Sequence, residues 1–280
     1  MDLVFERRGA RTILAHAYAE PPFRVGSTLD LDGAAYVILV CTGPGVFAGD
    51  TLRQTITVAR GAQVVLASQS ALQAHPSRAD GPARIVHEYD VDEDAELYVH
   101  WDPIIPFEAA RIEQRFELRL APSSRVYWSD AVMSGRVTRS EAWRFTVLAH
   151  ELRVTTARGP QRAALRYLER YRLAPRSAEA AAEGDATPRS IAHPWILGPA
   201  NYLATALLHD ERGTPVLAEA LQRRMATLAG VRTGVDAVEP GLIVARLAAA
   251  SGAPFAAART LLREAALQSI FGRPNLVGRK

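Results

Sequence analysis

Cysteine is nearly absent from this chain of 280 residues, which contains only Cys41. A single cysteine cannot form an internal disulfide, and the lack of a Cys-x-x-Cys pair excludes zinc ribbons and dithiol redox sites. Long apolar runs are also missing, because the longest, Ala34–Cys41, is far short of the roughly 20 residues that span a bilayer. Residues 1–8 mix charges where a signal peptide carries an apolar stretch. We therefore expect a soluble, cytoplasmic protein without a membrane span.

Lysine is almost as scarce, since Lys280 is the only one and the other strongly basic residues are all arginine. The formal net charge is +3, and arginine alternates with glutamate and aspartate along the chain instead of clustering. Aromatic residues make up only 7% of the chain. Nucleic-acid-binding proteins usually combine clustered basic residues with interleaved aromatics. We therefore expect no nucleic-acid partner.

The apolar content of 48% is high enough for a sizeable core, and its pattern is that of β-strands. Ala34–Cys41 is continuously apolar, which is typical of a strand covered on both faces. Residues 112–120 alternate apolar and charged side chains, with Gln114 on the otherwise apolar face, as a half-buried strand does. We predict one mainly β domain over residues 1–280, with strands to residue 173, a loop over 174–193, and mixed strands and helices over 194–280.

A weak internal repeat runs through the β region. Residues 58–66, 91–99 and 120–128 each read as an apolar residue, a turn, a small residue and then an apolar–polar alternation. Recurrence at about 30 residues is typical of stacked strand–turn–strand layers, as in a β-solenoid or a layered sandwich. An antiparallel meander has turns equally often, so both arrangements stay open.

The last 120 residues contain one ambiguous segment and two predicted helices. Residues 163–173 have the composition of a helix, but their leucines and tyrosines share one side at period two, and we predict a strand. The first helix is predicted over residues 215–228, after an N-cap at Thr214 and before Gly230. The second is predicted over residues 254–270.

Enzymatic motifs are weak throughout the sequence. Residues 43–48 match G-x-G-x-x-A, but an alternating strand follows where a dinucleotide site needs a helix, so turn glycines are the better interpretation. No H-E-x-x-H or G-x-S-x-G occurs. His100 and Asp102 lie two residues apart and could offer two metal ligands, or could be polar residues at a solvated strand end. A β-rich, metal-dependent hydrolase around this pair is the enzymatic alternative.

Several unusual segments follow one another in a fixed order. They are GPGVFAGDTL (43–52), GAQVVLASQSA (61–71), PIIPFEAARIEQ (103–114), WSD (128–130), GR (135–136), EAWRF (141–145) and GLIVARL (241–247). In their combined order and spacing they resemble the urease accessory protein UreD family, also called UreH, over nearly the whole chain. The motif residues are Gly43, Gly45, Gly49, Gln69, Ala71, Pro106, Phe107, Arg111, Gln114, Gly135 and Arg136.

The resemblance implies a layered or helical β architecture with two helices and a non-enzymatic role. Members of that family are scaffolds in the insertion of nickel into apo-urease. They bind the urease apoprotein and UreF, which recruits the GTPase UreG, and nickel is thought to pass through their interior. The resemblance thus predicts these three partners, transient Ni²⁺ in place of a tightly bound cofactor, and no catalytic residues.

The sequence departs from the family pattern at three positions. Gln73 and His75 stand where the family usually has a lysine and an aromatic residue, and Ser140 stands where a glycine usually precedes the motif glutamate. These departures weaken the transfer of residue roles around His75 and Glu141.

A nickel passage needs ligands that bind weakly and in succession, because a strong site would trap the ion. The acidic residues inside the family-like segments are therefore the candidate lining residues: Asp50, Asp102, Asp130 and Glu141. Asp50 and Asp130 could instead cap turns or pair with Arg53 and Arg136.

The predicted helices offer a candidate surface for UreF. Leu217, Leu221 and Leu261 could form an apolar docking face, or could pack on the sheet, which is the commoner fate of an amphipathic face.

Overall fold

Two stacked β-sheets form most of the chain in the computed structural model, which describes residues 1–77, 81–156, 163–175, 199–211 and 215–272. The strands are β1 (Asp2–Arg8), β2 (Arg11–Tyr18), β3 (Phe23–Val25), β4 (Leu29–Leu31), β5 (Ala34–Cys41), β6 (Thr51–Val58), β7 (Gln63–Ser68), β8 (Leu72–Ala74), β9 (Ala83–Val91), β10 (Glu96–His100), β11 (Ile104–Pro106), β12 (Arg111–Leu120), β13 (Arg125–Met133), β14 (Val147–Thr156), β15 (Leu165–Leu173), β16 (Tyr202–His209), β17 (Val231–Glu239) and β18 (Leu242–Ala249). The helices are α1 (Pro215–Ala226) and α2 (Gly252–Ser269).

The chain alternates between the two sheets, and its central strands stack in parallel. The first sheet has the order β15-β14-β12-β9-β6-β1-β2, and the second has β17-β18-β16-β13-β10-β7-β5-β3 with the short strands β4, β8 and β11 attached. Pairing is parallel from β6 through β9 to β12 in the first sheet and from β7 through β10 to β13 in the second. The sequence repeat is therefore a β-solenoid-like coil, and the antiparallel meander is excluded for this region.

The repeat positions mark the corners of the coil. Ala62, Ala95 and Ser124 lie in the turns from the first sheet to the second, and each is fully buried. The strands that follow pair with Gln63 opposite Glu96 and Glu96 opposite Arg125, so each corner sits on the previous one. Only a small side chain fits such a corner, which explains why the repeat preserves size at this position.

The outward face of the first sheet is a ladder of ion pairs. Arg53 on β6 meets Glu88 on β9 at 2.9 Å, and Arg84 on β9 meets Glu113 on β12 at 3.2 Å. These pairs are solvent-exposed and stabilise the fold little individually. They explain the alternation of arginine with acidic residues, since one sign of charge on neighbouring parallel strands would be repulsive.

The two helices cover the outward face of the second sheet. Leu221 of α1 is buried there, and Leu217 and Leu261 are partly buried against the same apolar cluster. These three leucines therefore pack on the sheet in the isolated chain, and their contact with a partner stays a prediction. None of the described helices is both long and apolar enough to cross a membrane.

The strands and helices predicted at defined positions agree with the structure. Residues 163–173 contain a strand, β15, as period two indicated, and both helices end within about two residues of their predicted limits. β1, β2, β16 and β17 were not located from the sequence, and β2 and β17 have few or no buried positions to mark an alternation. The predicted N-cap Thr214 and the predicted loop from residue 176 onward lie outside the described residues.

Gly45 allows the loop after β5 to touch β8. Its φ is +129°, and a Cβ placed there would lie 2.1 Å from the carbonyl oxygen of Gln73. Its neighbour Val46 donates its N–H to that same oxygen and forms a bridge with Ala74. A side chain at position 45 would therefore push the loop away from β8.

We expect Gly45→Ala to lower the free energy of unfolding by about 3 kcal/mol, because both the backbone conformation and the contact with β8 are lost. Gly61→Ala is the matched control, since its φ of +68° also disfavours alanine but a Cβ there meets nothing within 4 Å. Gly61→Ala should lower the free energy of unfolding by about 1 kcal/mol. Urea unfolding measures both variants, and equal costs would contradict the close approach at Gly45.

Candidate functional site

The family-like segments between residues 43 and 145 meet at one end of the coil, whereas segment 241–247 lies mainly on β18. Strands β5, β7, β10 and β13 run parallel, so the loops that follow them lie along one edge of the second sheet. Phe107 donates its N–H to the carbonyl of Ala74, and Ala109 donates to that of Arg144. These backbone bonds join the segments around residues 74, 107 and 144 into one surface.

Aromatic stacking, a cation–π contact and an ion pair connect the side chains of this surface. The imidazole of His75 lies parallel to the Phe47 ring at 4.4 Å between centroids and meets the edge of Phe107 at 5.0 Å. The Arg136 guanidinium lies 3.9 Å from the centroid of Phe107 and pairs with both carboxylate oxygens of Glu141. The family usually has an aromatic residue at position 75, and the imidazole of His75 therefore fills that position with an aromatic ring.

The backbone conformation of Ser140 explains why the family usually has glycine at this position. Its φ is +58°, in the left-handed region that favours glycine, and it ends the short 3-10 turn Val137–Arg139. Serine tolerates this conformation at a modest cost. The turn that presents Glu141 to Arg136 is therefore preserved despite the departure.

A cavity of about 200 Å³ leads inward from this surface, between the two sheets. Gly43, Pro44 and Ser70 are exposed lining residues at its outer end. Its inner part is lined by side chains that share a polar character in an otherwise apolar interior: Gln54, His87, Asp102, Gln114 and Asp130.

A second cavity, of about 500 Å³, begins on the other side of Asp130. Besides Asp130 it is lined by Glu169, Thr205, Arg170 and Arg246. Arg170 and Arg246 are exposed, so this cavity reaches the surface away from the loops that line the first one. Asp130 therefore lines both cavities.

One layer of polar side chains crosses the whole interior at this depth. On seven strands a single polar residue stands between one apolar residue of each of two separate core clusters. The members, which we call the polar layer, are Gln54 on β6, His87 on β9, Gln114 on β12, Asp130 on β13, His150 on β14, Glu169 on β15 and Thr205 on β16. Strand pairing places Gln54 opposite His87, Gln114 opposite His150 and Asp130 opposite Thr205. Between β9 and β12, and between β14 and β15, the polar residues are offset by two positions.

Several atoms of the polar layer have no hydrogen-bond partner among the described residues. They are Gln54 Oε1, Gln114 Oε1, Asp130 Oδ2 and both ring nitrogens of His150. An unsatisfied buried polar group costs about 1–3 kcal/mol. Such a concentration at one depth of the interior is typical of a site that water or a ligand occupies.

Asp130 and His150 face each other at the centre of the layer. Oδ2 of Asp130 lies 3.6 Å from Nδ1 of His150, which is too long for a hydrogen bond. Burial, with a contribution from the charge of Glu169, raises the pKa of Asp130 to about 8. Burial also lowers the pKa of His150 to about 4. The pair is therefore largely uncharged at neutral pH and is not a salt bridge.

Glu169 is the charged member of the layer. Burial acts to raise its pKa, but hydrogen bonds from Tyr167 (2.7 Å) and Arg246 (2.6 Å) outweigh burial and lower the pKa. Thr205 donates a further bond at 3.1 Å. An ionised carboxylate is thus held beside Asp130, with its charge balanced by an arginine at the outer end of the second cavity.

The four acidic residues predicted as lining residues lie in two different environments. Asp130 is in the polar layer, and Asp102 lines the first cavity while accepting a hydrogen bond from Ser68 at 2.9 Å. Asp50 is exposed and accepts the N–H of Phe47 at 2.8 Å, so it caps a turn, and Arg53 pairs elsewhere. Glu141 pairs with Arg136 on the outer surface.

Four members of the polar layer lie outside the family-like segments and were not predicted as site residues: Gln54, His87, His150 and Glu169. Each interrupts the apolar face of an alternating strand, as His87 does between Ile85 and Tyr89. That interruption, repeated from strand to strand, was the available signal.

His100 does not join Asp102 in the cavity. Its ring stacks on Tyr127 with centroids 6.4 Å apart, on the face of β10 that α2 covers, and it does not line the first cavity. The described residues contain no group of three or more His, Cys, Asp or Glu side chains arranged to hold a metal ion. The two-residue site of the enzymatic alternative is therefore not assembled in this structure.

Fold and site together define a β-solenoid-like protein with a layer of buried polar residues in its interior. The model of the UreD urease accessory protein family matches residues 1–280. The chain belongs to the UreD family.

Curated relatives carry the same family name. Urease accessory protein UreD 2 of Streptomyces griseus is 30% identical over 98% of this chain and 90% of its own length. Similar too are the UreD proteins of Halalkalibacterium halodurans (35% identical over 52% of this chain and 55% of the relative) and Sporosarcina pasteurii (32% over 51% and 57%). These relatives are named as accessory proteins and not as enzymes.

His87 should make stability depend on pH. Burial, with a smaller contribution from the N-terminal ammonium, lowers its pKa to about 3, against about 6.5 in the unfolded chain. Between these pH values the unfolded state binds more protons than the folded state. The contribution of His87 to the free energy of unfolding is therefore complete above pH 6.5 and is lost as the pH falls towards 3. From pH 7.5 to pH 5 the wild type should lose about 2 kcal/mol more unfolding free energy than His87→Gln.

Urea unfolding at the two pH values checks this expectation. His16→Gln is the control, because His16 is exposed on β2 and its replacement should leave the wild-type loss unchanged. Equal losses for wild type and His87→Gln would show that His87 is not held neutral by burial.

Proposed function

We propose that this protein is a non-enzymatic scaffold for the insertion of nickel into apo-urease, and that nickel passes through its interior. The observation that carries the proposal is the polar layer, whose member Asp130 lines two cavities. An interior built for stability alone would place apolar side chains at those seven positions, because each unsatisfied polar group there destabilises the fold.

The chemistry of the layer suits a divalent ion in transit. Nickel(II) accepts imidazole, carboxylate and water as ligands, and the layer supplies all but the water. Its donors are spread over seven strands, so an ion would meet one or two of them at a time. Successive weak contacts of this kind let an ion enter and leave.

We also propose that the passage works within a complex with the urease apoprotein and UreF, and with UreG through UreF. The outer end of the first cavity lies in the loops that carry the family motifs, and the second cavity ends at the arginines of β15 and β18. A passage with two openings is suited to the transfer of nickel from one partner to another. We place UreF on the C-terminal helices, where Val216 is 69% exposed beside the partly buried Leu217.

Asp130→Asn should lower the nickel content of co-expressed urease by about tenfold, because the amide keeps the shape of the side chain but cannot release a proton to become an anionic ligand. Asp236→Asn, at an exposed position on β17, is the matched control and should leave nickel content unchanged. Elemental analysis of purified urease gives the nickel content, and size-exclusion chromatography shows whether the complex still forms.

Normal nickel content with Asp130→Asn would remove Asp130 from the route. Urease that is fully metallated when this chain is deleted would reject the proposed function as a whole.

Charge on the helix face should weaken capture of UreF. We expect Leu217→Glu combined with Leu261→Glu to reduce co-purification of UreF at least tenfold, because a buried charge opposes an apolar contact. Val216→Glu tests the same face with a side chain that is already exposed and so does not disturb packing. The control is Leu165→Glu on β15, which is 52% exposed on the other sheet.

Circular dichroism shows whether each variant is folded. Undiminished capture of UreF by folded Val216→Glu and by the double variant would place the docking surface elsewhere.

A further inference from the structure

We propose that Asp130 and His150 together form a two-ligand transit site for a divalent cation, and that His150 makes the passage prefer nickel to magnesium and calcium. This inference rests on the proposed function, since it assigns the chemistry of one point on the same route. His150 lies in no family-like segment of the sequence and was not among the predicted lining residues.

The geometry of the pair suits shared coordination of one ion. Nitrogen and oxygen ligands lie about 2.0–2.1 Å from such ions, so two donors on one ion are about 3.0–3.6 Å apart at angles of 90–120°. Asp130 Oδ2 and His150 Nδ1 are 3.6 Å apart. An ion between them would need no large movement of either strand.

Both donor atoms are free to bind within the described part of the chain. Neither Asp130 Oδ2 nor His150 Nδ1 has a hydrogen-bond partner there, and both side chains are more than nine-tenths buried. Tyr171 stacks on the imidazole with centroids 4.5 Å apart and planes within 7°, and Phe116 packs at 5.4 Å. The ring is therefore held with Nδ1 towards Asp130.

The imidazole would supply selectivity. Magnesium and calcium are hard ions that take oxygen ligands, whereas imidazole suits nickel, copper and zinc. Most other donors of the passage are oxygens, as in Gln54, Gln114 and Glu169. A route of oxygens alone would be open to magnesium. The imidazole of His150 changes that preference, because it lies 3.6 Å from the carboxyl group of Asp130, which lines both cavities.

His87 is the other imidazole along the route and serves as the internal comparison. It lines the first cavity, but its Nδ1 lies 3.3 Å from the hydroxyl of Tyr89, and its ring packs edge-on against Trp101 and Phe116. In the described residues no ion pair joins a carboxylate to this ring. We therefore assign the transit site to His150 and not to His87.

Two protein ligands make a weak site. Asp130 and His150 would leave the remaining coordination positions to water, with Gln114 beside His150 in register and Glu169 near both. Such an ion exchanges more readily than one in a closed cage of four protein ligands. The site would thus slow and select the ion without retaining it.

The test uses the full chain, expressed without a histidine tag and labelled with ¹⁵N at histidine. Substoichiometric Ni²⁺ should broaden the ring resonances of His150 before those of His87, because nickel is paramagnetic, and Mg²⁺ in large excess should change neither. The His150→Gln spectrum and contacts with the Tyr171 ring assign the His150 signals.

Calorimetry of the same samples measures affinity. His150→Gln and Asp130→Asn should each weaken Ni²⁺ binding about tenfold, whereas His87→Gln should leave it unchanged. If His150→Gln does not fold, the wild-type broadening and Asp130→Asn decide the question.

Broadening confined to the outer histidines His16 and His75, or equal competition by Mg²⁺, would overturn the transit site. That result differs from failure of the proposed function, which would appear as full nickel loading of urease without this chain.

Discussion

In-register stacking of parallel strands governs both the stability and the chemistry of this protein. Because β6, β9 and β12 pair without a shift, each interior side chain lies beside an interior side chain of the next coil. Small buried residues at the corners, such as Ala62 and Ala95, keep the coils at strand spacing. The same register brings the polar residues of neighbouring strands directly opposite each other, as for Gln54 and His87, or within two positions, as for His87 and Gln114.

The polar layer lowers the stability of the fold. Apolar clusters lie on both sides of it, so its side chains leave water without gaining a full set of hydrogen bonds. Departures from a well-satisfied core are expected at functional sites. Here the departure recurs on seven strands and coincides with two cavities, so it is not an isolated packing fault, and it is the basis of the proposed route.

The sequence predicted the architecture better than the site. Period-two alternation located β12 and β15, and the small residues at positions 62, 95 and 124 indicated the coil, because these signals are local. The direction of strand pairing is set by contacts between distant residues, so the repeat alone left solenoid and meander open. Asp102 and Asp130 were found through motifs, but His150 and Glu169 lie outside them. Their role depends on register across strands, which no single segment contains.

Anomalous diffraction at the nickel edge, from crystals soaked in Ni²⁺, shows whether nickel enters this fold, because it locates the ion without reference to any partner. We expect a peak in the interior, within coordination distance of Asp130. Peaks found only on the outer surface, with the polar layer holding water alone, would contradict a passage for nickel through this fold.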